Sequence, residues 1–140
     1  MSAAKKYFCD TSFLYALLFE EDKFHQLATS LYAKSKSEAA CLLSTWDVVS
    51  ETITLFRYKS SFERAKYFIE KVVPLLDIQS YEPEINRKAI DLYISNFKVY
   101  RLSFCDVLSY LVVKDLLDDI PCFSFDKDFI NMGLNVVLAP

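Results

Sequence analysis

The stretch "KKYFCDTSFLYALL", residues 5–18, decides how the rest of the chain is read. An apolar run, "YFC" at 7–9, meets an aspartate, Asp10, and then a segment of helical character, "SFLYALLFE" at 12–20. A short apolar run bounded by a polar residue that opens a helix reads as a buried strand joined to the helix after it. One aspartate at such a joint is ordinary, because aspartate is a favoured helix cap. The question is whether other acids stand at similar joints.

Working outward, the spacing predicts helices over 23–38 and 45–59, with a strand "ACLLS" at 40–44 between them. An amphipathic helix is expected over 61–72, a strand over 74–79, and helices over 82–97 and 103–119. Strands are expected at 121–125 and 135–139, with a short helical turn at 127–131. Pro83 falls in a first helical turn, where proline is tolerated. Short, continuously apolar strands alternating with helices predict an α/β domain, its mainly parallel sheet covered on both faces. The 140 residues are read as a single domain, 1–140, long enough to bury a core without staples. In such sheets, sites form beyond the carboxyl ends of the strands.

Composition excludes several classes. A single glycine, Gly133, forbids both the dinucleotide GxGxxG turn and the Walker A phosphate loop. One histidine, His25, and four cysteines without a CxxC pair leave no zinc site of ordinary spacing. The cysteines, Cys9, Cys41, Cys105 and Cys122, are read as buried thiols of a reducing compartment, which places the protein in the cytoplasm. No apolar run approaches the roughly 20 residues of a membrane span. Mean hydropathy is +0.16 with 16% aromatics, which reads either as a dense aromatic core or as a face for a partner or second copy. The net charge of −3 says little about nucleic acid, because setting four site carboxylates aside turns it to +1.

Four acids stand at the expected joints. Asp10 closes the first strand, and Asp126 closes the fourth in "CFSFDKDF". Glu51 lies in the helix after the second strand, and Asp106 begins the helix before the fourth. Each has a structural reading beside the functional one. Asp10 caps a helix, Asp106 completes a capping box with Ser103, Asp126 holds a turn, and Glu51 is a solvated helix acid. Glu51 is the most telling, because Val48, Val49, Ile53 and Leu55 surround it in sequence, and an acid among apolar faces needs a partner or a metal. Asp47, three residues after Ser44, is read as a capping-box acid. Clustered carboxylates without histidine or thiolate are hard oxygen ligands that suit Mg²⁺ or Mn²⁺. Such ions lower the pKa of water and neutralise charge on a phosphodiester.

"YFCDTSFLYALL", "VVSETITLFR", "LSFCDVLSYLVV" and "CFSFDKDF" resemble, in order, the four acidic motifs of PIN-domain ribonucleases. At this length the chain resembles the VapC-type toxins of toxin–antitoxin modules. The resemblance implies a PIN-like three-layer α/β/α sandwich and an acidic quartet of Asp10, Glu51, Asp106 and Asp126 as catalytic and metal-holding residues. Ser12 falls where the family often has a polar contact near the metal, and Ser124 where it often has a hydroxyl before the last aspartate. Val107 stands where many members have alanine. The resemblance further implies Mg²⁺ or Mn²⁺, endonucleolytic cleavage of RNA to 5′-phosphate and 3′-hydroxyl ends, a homodimer, and a cognate antitoxin that blocks the acidic site. Arg57, Lys59, Arg64 and Lys66, interleaved with aromatics, are candidate RNA contacts. Glu63 and Glu70 interrupt that run, as in an ordinary soluble helix face. Two other strand-end-aspartate classes fit poorly. A haloacid-dehalogenase-type phosphatase wants DxD where Ser12 stands, and a response-regulator receiver wants an acidic pair that "KKYFCD" lacks. A binding module that keeps the fold without turnover, and a housekeeping RNA-processing nuclease, remain as alternatives.

Overall fold

The computed structural model describes residues 4–96 and 101–140. Its centre is a four-stranded sheet formed by β1 (Lys6–Cys9), β2 (Cys41–Thr45), β3 (Leu76–Gln79) and β4 (Cys122–Phe123). The strand order is β3-β2-β1-β4 and every pairing is parallel. Tyr7, Phe8 and Cys9 are buried in succession, as are Leu42 to Thr45 in β2. Successive side chains point to opposite faces, so both faces of the sheet are covered. This is the expected α/β architecture.

The helices are α1 (Thr11–Leu18), α2 (His25–Ser37), α3 (Trp46–Lys59), α4 (Phe62–Tyr67), α5 (Pro83–Asn96), α6 (Phe104–Leu111) and α7 (Lys127–Asn131). Phe97, the expected last residue of the fifth helix, lies outside the described residues. α1 packs on α2 and α3, α3 on α4, and α5 on α6. Phe8, Phe13, Phe56, Phe68, Phe123 and Phe129 are fully buried. Burying each contributes about 1.5–3 kcal/mol, so the aromatic content is largely a core. Phe123 stacks on Tyr7 at 4.3 Å and tilts against Phe13 at 4.9 Å, joining sheet to α1.

Five expectations need correction. The helix expected over 61–72 is α-helical only to Tyr67, then widens into a π turn (Phe68–Val72) and a 3₁₀ turn (Val73–Leu75). Pro74 is the cause, since it has no N–H to donate and its ring clashes with the carbonyl four residues back. The helix over 103–119 likewise passes into a π turn at Val112–Leu116 and stops before Asp118 and Asp119, whose φ angles are +53° and +56°. The last strand, over 135–139, does not form. Val136 makes one isolated bridge to Cys122, and the Asn135 amide turns to the Asp119 carbonyl at 3.1 Å. The fourth strand accordingly shrinks from five residues to two. Finally, Cys41 is exposed rather than buried, because it opens β2 at the sheet's amino edge.

Candidate metal and RNA site

The order β3-β2-β1-β4 has a consequence for the site. The chain runs outward from β1 to β3 on one side and places β4 on the other. The connections on either side of β1 therefore diverge, which opens a crevice beyond the carboxyl ends of β1 and β4, where parallel sheets hold ligands. Asp10 follows β1 directly, and Ser124 and Asp126 follow β4.

Asp10 is buried and caps α1, its Oδ1 accepting from Phe13 N at 3.0 Å. The same oxygen accepts from the Ser12 hydroxyl at 2.7 Å, and Oδ2 accepts from the Ser124 hydroxyl at 2.5 Å. Both serines also receive backbone donors from the β4 side. Phe125 N donates to Ser12 at 2.9 Å and Asp126 N to Ser124 at 3.1 Å. The hydroxyls thus tie the end of β1 to the end of β4 and fix the Asp10 carboxyl between them. Burial, opposed by hydrogen bonds from Ser124, Phe13 and Ser12 and reinforced by the Asp106 charge, raises the pKa of Asp10 from 3.8 to about 7.

Asp106 lies in the first turn of α6 and forms a capping box. Asp106 N donates to the Ser103 hydroxyl and Ser103 N to Asp106 Oδ2, both at 3.1 Å. Burial first, then the Glu51 and Asp126 charges, push its pKa to about 6 against the hydrogen bonds from Ser103. Asp126 caps α7, its Oδ1 accepting from Asp128 N at 2.9 Å. The structural roles expected of Asp10, Asp106 and Asp126 are therefore all present. The Asp106 charge reaches Asp10, and the Glu51 and Asp126 charges reach Asp106, so the four acids stand within electrostatic range of one another. Glu51 sits half-buried in α3, next to the buried Val48, Val49 and Thr52. The cap of α3 is Thr45, which accepts from Val48 N at 3.2 Å. Ser44 instead donates to the Cys9 carbonyl at 2.9 Å, so the expected Ser44–Asp47 box is absent. Asp47 accepts from the Tyr81 hydroxyl at 2.5 Å.

Sequence reasoning missed two features. Burial, followed by the Glu51 and Asp106 charges, holds the Cys105 thiol well above its usual pKa and so protonated. Trp46 stands exposed at the joint of β2 and α3. Its position as a lone tryptophan at a strand end was the available signal. The four basic candidates separate into two pairs. Arg64 is committed inside the fold, donating to the Leu18 carbonyl at 2.6 Å and lying over Phe19 at 5.5 Å. Lys66 pairs with Glu70 at 2.8 Å. Arg57 and Lys59 are exposed in the last turn of α3 and make no ion pair among the described residues.

The donor set fits a hard divalent cation. All four groups are carboxylates, and none makes an ion pair among the described residues. The protonated Cys105 offers no competing thiolate. Among the described residues no three acidic, cysteine or histidine side chains are grouped so that they could hold a metal ion together. Mg²⁺ keeps several waters and takes one or two carboxylates directly, so an open arrangement suits it.

A family model for the PIN domain matches residues 7–134. The chain belongs to the PIN-domain family. The matched span contains Asp10, Glu51, Asp106 and Asp126 of this PIN domain. Its fold is similar to that of VapC20 from Mycobacterium tuberculosis, a toxin that cleaves the sarcin–ricin loop. The TM-score is 0.82 at 24% identity, covering 96% of this chain and 99% of VapC20. No curated protein matches the sequence.

Proposed function

We propose that this PIN domain is a Mg²⁺- or Mn²⁺-dependent endoribonuclease, the toxin of a toxin–antitoxin pair. The observation that carries this reading is the buried, hydrogen-bonded Asp10 at the β1/β4 crevice, electrostatically linked through Asp106 to Glu51 and Asp126, with no ion pair to any of the four among the described residues. Asp10, Glu51, Asp106 and Asp126 would hold the ion. A bound divalent ion would activate water and neutralise charge on the phosphodiester. Ser12 and Ser124 orient the Asp10 carboxyl through their hydroxyls. Arg57 and Lys59 take RNA phosphates without regard to sequence. A homodimer, a cognate antitoxin that covers the acids and action in the cytoplasm belong to the same proposal. Among the described residues no helix is long and apolar enough to cross a membrane.

One observation favours a second reading, a binding module without turnover. Three of the four acids also serve in helix caps, and among the described residues no three acidic, cysteine or histidine side chains are grouped to hold a metal ion. Cleavage separates the two readings. A panel of single-stranded and structured RNAs, including a sarcin–ricin-type loop, is incubated with EDTA, Mg²⁺ or Mn²⁺, beside Asp10→Asn purified identically. Cleavage that requires the ion and is lost in the variant is the expected result. Equal cleavage by the variant would overturn the assignment of Asp10, and no cleavage of any RNA would favour the binding module.

A further inference from the structure

The first turn of α3 carries a second carboxylate on the face that holds Glu51. Asp47 lies four residues before Glu51, so the two stand about 40° apart round the axis, with Cβ atoms about 5–6 Å from each other. Like charges at this spacing work against the helix, so a pair of acids here needs something to offset their repulsion. α3 packs against α6, whose first turn holds Cys105 and Asp106. The charges of Glu51, Asp106 and Asp47 all reach the Cys105 thiol. All four side chains are half-buried. Asp47 therefore faces α6 from the same side of α3 as Glu51, one turn nearer the end of β2.

Capping does not occupy Asp47, because Thr45 fills that role at Val48 N. Its Oδ2 accepts from the Tyr81 hydroxyl at 2.5 Å, across 34 residues of sequence. Tyr81 stands two residues beyond Gln79, the end of β3, and Gln79 pairs in register with Thr45. That register brings the tyrosine to the start of α3. Its ring is half-buried against the core. Burial, then the bond to Asp47, pushes the hydroxyl up to about 12, so it remains a donor at neutral pH. The other carboxylate oxygen, Oδ1, takes no hydrogen bond or ion pair among the described residues.

We propose that Asp47 is a positioning carboxylate of the metal site and that Tyr81 sets its direction: with Oδ2 held by the tyrosine, Oδ1 accepts from a water of the ion beside Glu51. Mg²⁺ dehydrates reluctantly and keeps several waters, so a carboxylate one layer out acts on the ion through them. The proposal rests on the metal-dependent reading of the same acids. It adds two residues that orient the hydration shell and touch neither the ion nor the reacting atoms.

Two substitutions separate direction from charge. Tyr81→Phe keeps the ring and every carboxylate but removes the bond. Asp47→Asn removes the charge but keeps a carbonyl for the Tyr81 hydroxyl. Mn²⁺ binding to the full chain is followed by the electron paramagnetic resonance signal of the free ion, for the unaltered protein, both variants, the double variant and Asp10→Asn. Asp47→Asn and Tyr81→Phe should each weaken Mn²⁺ binding about tenfold. Tyr81→Phe should add nothing in the Asp47→Asn background, since it acts only through that carboxylate. Urea denaturation in EDTA reads separately the bond's role as a tie between β3 and α3, which affects stability and not affinity for the ion. Parental Mn²⁺ affinity in either single variant, or a Tyr81→Phe loss that persists without the Asp47 charge, overturns the proposal whatever the stabilities. If Asp10→Asn loses the ion while Tyr81→Phe binds it like the parent, only the positioning role falls. Mn²⁺ not bound by the unaltered protein, or bound equally by Asp10→Asn, removes the metal reading and the proposal with it.

Discussion

Replacing Asp10 by asparagine should stabilise the protein when divalent ions are absent. The Asp10 carboxyl has a pKa of about 7 in the fold against 3.8 in its ordinary state, and burial is the main cause. A raised folded-state pKa means that the native protein binds the proton more tightly than the unfolded chain. The contribution to stability is present below 3.8 and is lost as pH rises through about 7. With these two values, the penalty is about 2 kcal/mol near pH 5 and about 4 kcal/mol near pH 8. Asparagine carries no charge to desolvate. It caps helices as well as aspartate does and retains a carbonyl for Phe13 N and the Ser12 hydroxyl. In EDTA, urea denaturation should therefore find Asp10→Asn more stable than the parent, with a gap that widens by about 2 kcal/mol from pH 5 to pH 8. Saturating Mn²⁺ should narrow the gap, since an ion that binds only the folded parent stabilises it by mass action. An Asp10→Asn protein no more stable than the parent at pH 8 in EDTA, or a gap independent of pH, would refute the reasoning.

Arg64→Ala should cost about 1–3 kcal/mol in urea denaturation through loss of the Leu18 bond and the Phe19 contact, without altering the salt dependence of RNA binding. Arg57→Ala with Lys59→Ala should do the reverse, lowering the slope of log affinity against log salt by about 1.5 for a single strand at unchanged stability. Phe123→Ala removes a fully buried ring that joins Tyr7 and Phe13, and should cost about 3–5 kcal/mol in the same denaturation assay. Lys5, Tyr7 and Lys34 hold the Glu38 carboxyl at about 2, below its ordinary 4.5. That contribution is present above pH 4.5 and fades as pH falls towards 2, so Glu38→Gln should flatten the acid limb of the stability–pH curve across this window.

The joints were legible because they follow from local chemistry. A buried apolar run followed by a capping acid is visible at Asp10, and a serine three residues before an acid is visible at Ser103 and Asp106. What the sequence hid came from tertiary competition. The 135–139 segment has strand composition, yet the Asn135 side chain bonds to Asp119 and only one bridge to Cys122 remains. Asp47 has the spacing of a capping acid, but Tyr81, 34 residues away, claims its carboxylate. Arg64 has the look of a solvent-facing RNA contact until α1 brings the Leu18 carbonyl to it. Periodicity also could not distinguish an α turn from the π turns at Phe68–Val72 and Val112–Leu116, since both keep an apolar face inward.

The measurement that bears most directly on the carboxylate site is an anomalous difference map from crystals of the unaltered protein soaked in Mn²⁺. A peak in the crevice beyond β1 and β4, bounded by the carboxylates of Asp10, Glu51, Asp106 and Asp126, is the expected result. Mn²⁺ bound only elsewhere on the surface, with those four carboxylates left without an ion at saturating concentration, would contradict it.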